Sequence, residues 1–140
     1  MVVTPQTGWP AECPPDDTSE PDGRFFHLVS FDPPDDQADC VTVFERDPKK
    51  ASGCGYFALS IYVEIEDIRT QYRFLKRRHP KVAAKKWKFI AEGKLETKHG
   101  LIKLVDGATD THTNWWPADD LAISDRCDLF QVVEATEPGP

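Results

Sequence analysis

The spacing of apolar residues changes once in the middle of the chain, and the change predicts a strand followed by a helix. From Tyr56 to Val63 apolar residues alternate with small or polar ones, which is the period of a strand. They then recur every three or four residues, the spacing of one helix face, at Ile65, Ile68, Tyr72 and Leu75. Pro80 follows shortly after, and the residue before a proline disfavours helix. We therefore predict a strand over residues 56–63 and a helix from about 64 to about 78.

Alternating patterns predict further strands on both sides of this unit. One covers residues 24–31 and ends where Pro33 and Pro34 remove two backbone donors. A second covers 87–96 and is followed by a turn at 97–100 and a strand over 101–105, which together are typical of an antiparallel hairpin. Short strands are predicted over 111–117 and 128–134. Residues 37–45 fit either a short strand or the start of a short helix.

This order of elements predicts an α+β domain over residues 24–134, with a mostly antiparallel sheet packed against one main helix. The preceding residues 1–23 hold five prolines, two glycines and five acids, a composition that cannot offset its ordering entropy by burial. We therefore expect a flexible acidic tail, in which Trp9 is the residue suited to docking. Residues 135–140 are expected to fray.

No stretch approaches the roughly 18 apolar residues of a membrane span. The first residues also lack the basic and apolar regions of a signal peptide. The expectation is a protein that works in the cytoplasm without a membrane partner.

The four cysteines stand far apart, and no two form a C-x-x-C pair. Zinc sites usually show close ligand pairs, and secreted disulfide frameworks show denser cysteines, so we expect reduced, partly buried thiols and no metal. One alternative stays open, a site that draws distant segments together. Its ligands would be Cys40, Cys54, His112 and Cys127.

Charge divides the chain into three parts. Residues 1–45 carry a net charge of −9, residues 46–105 carry +9 and residues 106–140 carry −7. Nine lysines or arginines lie between Arg69 and Lys88, a density that attracts anionic partners such as nucleic-acid phosphates or an acidic protein. The same bases are also a usual way to solvate the exposed face of an amphipathic helix.

The segment T-H-T-N-W-W is the densest group of residues suited to recognition. Aromatic side chains with polar groups dominate binding hot spots, although the two tryptophans equally suit a strand that covers the core. The leading hypothesis is an interaction module that binds a protein partner through the basic end of the helix and this element. The candidate binding residues are Arg73, Arg77, Arg78, His112, Thr113, Trp115 and Trp116.

A resemblance to known proteins rests on several runs, R-F-F-H-L-V-S-F-D-P-P, L-S-I-Y before a helix with E-D-I-R, F-I-A-E-G-K-L, G-L-I-K and T-H-T-N-W-W-P-A-D-D-L. Together these runs resemble a family of short bacterial proteins, over about residues 24–121. That family implies no established activity. Under the interaction-module hypothesis, the chain is a small accessory or regulatory protein of a bacterial or phage system.

The chain also loosely resembles the ADP-ribosyltransferase fold. That likeness implies that His27 holds the nicotinamide ribose of NAD, that Tyr62 with Ser60, or Tyr56, flanks the ring, and that a glutamate polarises the breaking bond. By that likeness the glutamate would be Glu92, Glu96 or Glu134, and Glu92 is the candidate catalytic residue together with His27 and Tyr62. An enzyme therefore remains the alternative hypothesis, and a nucleic-acid-binding module is the third. The Ser/His/Asp, H-E-x-x-H and phosphate-loop patterns are absent from the sequence.

Overall fold

A computed structural model describes residues 9–50 and 53–137 of the chain, which form an α+β domain with one antiparallel sheet. The six strands are β1 (Gly23–Val29), β2 (Leu59–Tyr62), β3 (Phe89–Leu95), β4 (Gly100–Leu104), β5 (His112–Pro117) and β6 (Phe130–Ala135). The helices are α1 (Asp36–Asp39), α2 (Val43–Arg46), α3 (Ile65–Arg78), α4 (Pro80–Lys86) and α5 (Ile123–Asp128). The predicted class is confirmed.

The sheet consists of two three-stranded halves with little backbone pairing between them. Its order is β4-β5-β2-β1-β3-β6, and every pair is antiparallel. β1 pairs with β3 from Gly23 to Val29, whereas β1 and β2 share the single ladder pair Phe26 and Tyr62. The sheet therefore opens between β1 and β2 on either side of that pair.

The predicted hairpin between β3 and β4 is wrong. β3 pairs with β1 and β6, while β4 pairs with β5 in the other half. β6 can lie beside β3 because Gly93 has no side chain and leaves room for Phe130. A Cβ added at residue 93 would lie only 2.8 Å from the Phe130 ring. At the corner into β4, Gly100 has a φ of +140°, and a side chain there would overlap the backbone of Trp116.

The short connection between β3 and β4 curves the sheet around the main core. Trp115 and Ile61 of one half pack there with Phe25 and Leu95 of the other, and all four are buried. The Trp115 Nε1–H donates to the carbonyl oxygen of His99 in the connection, at 3.0 Å. The two halves therefore share one apolar interior.

Helix α3 covers the outer face of β1 and β3. It lies where the spacing predicts it, and Ile68 and Tyr72 are its buried residues. Ile68 packs with Ile90 and with Phe26 on the outer face of the sheet. The remaining face of the helix is exposed, as the amphipathic pattern predicts.

Two segments between β1 and β2 differ from their predicted forms. Residues 54–57 form a 3₁₀ turn, so the strand predicted from residue 56 begins at Leu59 and leaves Tyr56 exposed. Residues 37–45, which fitted either a strand or a helix, contain α1 and α2. Thr42 and Glu45 form a capping box at the start of α2.

Residues 9–22 are attached to the domain, whereas the composition predicts a tail over 1–23. Cys13 is buried and forms a disulfide with Cys54, and the ring of Trp9 packs 4.9 Å from that of Phe57. Ser19 pairs with the β4 edge at Ile102. The disulfide and the buried aromatics offset the ordering entropy on which the prediction depends. Residues 1–8 of the predicted tail lie outside the described residues.

The sequence predicts that residues 135–140 fray, but residues 135–137 are held by contacts with the domain. Ala135 is the last residue of β6, and the Thr136 hydroxyl donates to the carbonyl oxygen of Trp87 at 2.6 Å. Glu137 bonds to α3. Residues 138–140 lie outside the described residues.

The prediction of reduced cysteines is wrong. Cys13 is bonded to Cys54 and Cys40 to Cys127, which leaves no free thiol. The alternative metal site fails for the same reason, because its three cysteines belong to two different disulfides. Over residues 9–50 and 53–137 no group of three histidines, cysteines or acids is placed to hold a metal ion. No described helix is long and apolar enough to cross a membrane.

Candidate functional site

A strongly charged surface of the protein is built by α3, α4 and the residues just after α4. Between Arg73 and Lys88 the chain has eight bases and no acid. All eight of these side chains belong to exposed residues. We call them the cationic surface: Arg73, Lys76, Arg77, Arg78, Lys81, Lys85, Lys86 and Lys88.

Two helices meet at this surface because His79 and Pro80 divide one helical stretch from the next. α3 ends at Arg78, and α4 begins at Pro80, a position where the missing N–H of proline costs nothing. The sequence analysis ended the helix at about residue 78 and predicted no second helix before the strand over 87–96. The signal for α4 was the proline itself, followed by good helix formers.

Carboxylates of the C-terminal strand already bind one side of α3. Glu134 accepts two hydrogen bonds from Arg69, at 2.9 and 2.5 Å. Glu137 pairs with Lys76 at 2.5 Å and accepts from the Tyr72 hydroxyl at 2.5 Å. Hydrogen bonds from Arg69 lower the pKa of Glu134, and those from Lys76 and Tyr72 lower the pKa of Glu137.

A bulge in β6 turns Glu134 toward the helix. Ile90 pairs with Glu134 and Ala91 with Val132, so Val133 is the extra residue between two ladder pairs. Val132 packs on the main core on the inner face, whereas Ile90 contacts α3 on the outer face. The extra residue therefore moves Glu134 from the core side to the side of Arg69.

Most of the cationic surface has no such partner. Arg73 donates to the Thr70 hydroxyl at 3.1 Å, and Arg78 lies over the ring of Phe74. Among the described residues Lys76 is the member of the surface that forms an ion pair. The predicted binding residues Arg73, Arg77 and Arg78 thus lie on a surface with unpaired positive charge.

Two adjoining grooves run beside one stripe of α3, which consists of Arg69, Arg73, Lys76 and Arg77. One, of about 390 Å³, lies between α3 and the end of β6 and includes Arg73, Lys76 and Glu137. The other, of about 530 Å³, lies toward α4 and includes Arg73, Lys76, Arg77 and Pro80. Arg73 and Lys76 line both grooves.

The prediction that the T-H-T-N-W-W element forms a recognition surface is wrong. Trp115 and Trp116 are 0% and 1% exposed, and Thr113 is also buried. β5 lies between β2 and β4, and both its faces are covered: Trp115 packs in the main core, while Trp116 packs beneath Cys13 and Phe57. The two tryptophans cover the core, which is the alternative to a binding surface that the sequence analysis left open.

His112, the remaining member of that element, is half-buried and stacks on Tyr62 with ring centroids 4.9 Å apart. Burial lowers the pKa of His112, and this effect outweighs the charge of Asp110, which acts to raise it. Burial raises the pKa of Tyr62, and the charges of Asp110 and Asp67 act in the same direction. Both groups are therefore neutral over a wide range of pH.

A cleft of about 220 Å³ opens where β1 and β2 part. It is bounded by His27, Tyr62 and His112 together with Gln71 and Trp87. His27 spans the opening, with Nδ1 2.8 Å from the carbonyl oxygen of Ser60 and Nε2 2.6 Å from that of Asp39. Two of the candidate catalytic residues therefore meet in one cleft, although His27 is engaged by backbone groups.

The third candidate catalytic residue lies elsewhere. Glu92 forms an ion pair with Arg24 at 2.9 Å and borders a different depression beside Phe130. Glu134 is bound by Arg69, and Glu96 forms a capping interaction with His99. No glutamate is among the described residues that bound the cleft of His27 and Tyr62.

Comparison with protein-family models, with curated proteins and with solved structures finds no match to the chain. The resemblance to the short bacterial family and the likeness to ADP-ribosyltransferases stay predictions. The candidate site therefore depends on geometry and charge alone.

Proposed function

We propose that this protein is an interaction module that binds an acidic protein segment through the cationic surface of α3 and α4. The observation that carries the proposal is a run of eight exposed bases without an acid, of which one is paired within the described residues. Unpaired like charges on neighbouring helix turns repel one another, and an anionic partner relieves that repulsion.

A protein carboxylate is the favoured anion for two reasons. The chain's own Glu134 and Glu137 are bound by α3, so the helix already accommodates carboxylates. The net charge of −7 also repels a long polyanion such as DNA outside the immediate surface. Trp87, the aromatic residue within the basic run, is half-buried beside the cleft and is not free to stack on bases.

The test is fluorescence anisotropy with a labelled oligoglutamate peptide and a DNA oligonucleotide of equal charge. We expect the peptide to bind wild type and to lose roughly tenfold in affinity with R77Q/K81Q/K85Q, since exposed ion pairs contribute about 0.2–1 kcal/mol each. The matched control K49Q/K94Q/K98Q changes the net charge equally at exposed lysines elsewhere. Equal losses in both variants, or tighter binding of DNA, would contradict the proposal.

We also infer that the protein works where disulfides persist, and not in the cytoplasm that the sequence predicted. All four cysteines are in disulfides, and such bonds are rare in reducing compartments. Acid trapping of expressing cells, followed by alkylation and mass measurement, tests this inference. Four alkylated thiols in the native host would contradict it.

The enzyme alternative makes a separate prediction. It requires NAD to enter the cleft of His27 and Tyr62, and bound NAD would raise the melting temperature. The interaction module predicts no shift. A thermal melt at millimolar NAD distinguishes the two hypotheses.

A further inference from the structure

We propose that the acidic partner is an extended segment with carboxylates at alternate residues, seated along α3 beside the free edge of β6. The inference rests on the proposed function and names the form of the partner. Its ligands in this protein are Arg73 and Arg77, the two arginines of the stripe that have no carboxylate among the described residues.

The C-terminal segment shows that this side of α3 accepts carboxylates from a neighbouring chain. Glu134 of β6 binds Arg69, and Glu137, in the bend after β6, binds Lys76, seven residues further along α3. Two carboxylates of this segment therefore bind bases roughly 10 Å apart along the helix axis.

The two open positions of the stripe match the side-chain repeat of an extended chain. Arg73 and Arg77 are one turn apart, roughly 6 Å along the axis. Alternate side chains of an extended chain project on the same side at intervals of roughly 6.8 Å. Two carboxylates separated by one residue lie on the same side of an extended chain and therefore reach both arginines. Adjacent carboxylates lie on opposite sides of the chain and cannot reach both.

The position beside the stripe suits an extended chain better than a helix. β6 is the end strand of the sheet, and within the described part of the chain it pairs only with β3. An edge strand leaves backbone donors and acceptors for one more strand. The groove between α3 and the end of β6 also includes Ala135 and Thr136, so a segment in it lies next to that edge.

The experiment compares two labelled peptides of one composition, with the glutamates either alternating with serines or in adjacent pairs separated by two serines, which leaves no two glutamates separated by one residue. Each is titrated against wild type, the stripe variant R73Q/R77Q, and the matched variant K81Q/K85Q, which removes two charges of the cationic surface away from the stripe. We expect wild type to prefer the alternating peptide by about two- to fivefold, the range of an exposed ion pair. The stripe variant should lose that preference, while K81Q/K85Q weakens both peptides equally.

Other results overturn the inference in distinguishable ways. Equal affinity of wild type for both peptides would leave the cationic surface as the site and refute the alternating register. Absence of binding by either peptide would refute the proposed function as well. Dimerisation of wild type in sedimentation equilibrium, lost in R73Q/R77Q, would assign the groove to a second copy of the chain.

Discussion

His27 Nε2 lies 2.6 Å from the backbone carbonyl oxygen of Asp39, and this contact joins β1 to α1 across the opening in the sheet. The other ring nitrogen lies 2.8 Å from the carbonyl oxygen of Ser60 in β2. Both partners are acceptors, so both bonds form only when both nitrogens carry hydrogen, and a neutral ring makes one of them. One side chain thus replaces ladder bonds that β1 and β2 do not form beyond Phe26.

Removing this side chain should destabilise the domain. We expect H27A to lower the free energy of unfolding by roughly 1–3 kcal/mol, because at least one backbone carbonyl loses its donor. Urea denaturation measures the change. H79A is the matched control, since His79 is exposed and its ring has no bond to the described residues. If H79A lowered the free energy of unfolding as much as H27A does, the bridging role of His27 would be refuted.

The disulfides should contribute a large part of the stability. Cys13–Cys54 closes a separation of 41 residues and Cys40–Cys127 one of 87. In the chain-entropy description, loops of these lengths correspond to roughly 4 kcal/mol each. We expect both C13S/C54S and C40S/C127S to melt well below wild type, with the longer loop causing the greater loss.

A reducing agent provides the control for that measurement. It should lower the melting temperature of wild type to below that of either double variant, because it opens both bonds. A wild type that melts identically with and without reductant, while mass measurement shows four free thiols, would mean that the disulfides do not hold the fold.

Arg126 and Glu45 form a buried ion pair that ties α5 to α2. The two nitrogens of Arg126 lie 2.7 and 3.0 Å from the Glu45 oxygens, and Arg126 is 7% exposed. Burial by itself raises the pKa of Glu45, but hydrogen bonds from Arg126 and from the Thr42 backbone outweigh it and lower the pKa. The charged carboxylate is thus favoured in the folded state.

Breaking this pair should cost more than breaking an exposed one. We expect E45Q to destabilise the protein by roughly 3 kcal/mol, because Arg126 keeps a buried charge without its partner. The control is E92Q, which removes the partner of the largely exposed Arg24 and should change stability by at most about 1 kcal/mol. Since the pKa of Glu45 is lowered on folding, its contribution is present above about pH 4.5 and is lost below.

The sequence predicted those elements whose pattern is local. The α3 face of Ile68 and Tyr72 follows from spacing alone, and its position is correct. The cationic surface could be predicted too, because eight bases without an acid cannot be buried. Local periodicity also predicts which residues of a strand share a face, but not which strand lies beside it.

Features that join distant segments could not be predicted in this way. The pairing of β3 with β6 depends on the fit of Phe130 over Gly93, and the pairing of Cys13 with Cys54 depends on the fold of the intervening chain. Trp116 is buried because residues 9–22 cover its face of β5. The composition of those residues suggests a tail, and only their contacts show otherwise.

Two histidines should make the protein less stable in weak acid. Burial lowers the pKa of His99, as does the charge of Lys98, and Nδ1 of His99 accepts the Glu96 N–H at 2.8 Å, which requires a neutral ring. Burial also lowers the pKa of His112. The unfolded chain takes up protons near pH 6.5 and the folded chain only below, so stability should fall as pH drops from about 6.5.

Urea denaturation at pH 7.5, 6.5 and 5.5 measures this dependence. We expect H112Q to reduce the loss between pH 6.5 and 5.5, because glutamine does not titrate. H79Q, at an exposed position, should keep the wild-type dependence. A wild-type protein equally stable at all three values would contradict the assignment of neutral histidines.

Tyr72 provides the most direct test of the architecture. Its ring lies on the buried face of α3 and is 5% exposed, while its hydroxyl bonds to Glu137. We expect Y72D to unfold the domain, because the buried ring would be lost and a carboxylate would be placed on the buried face beside that of Glu137, at a cost of roughly 3 kcal/mol or more. Y56D is the matched control, since Tyr56 is 40% exposed and the same change should be tolerated. If Y72D melts like wild type, the helix does not pack on the sheet through this face, and the groove beside β6 is not formed as described.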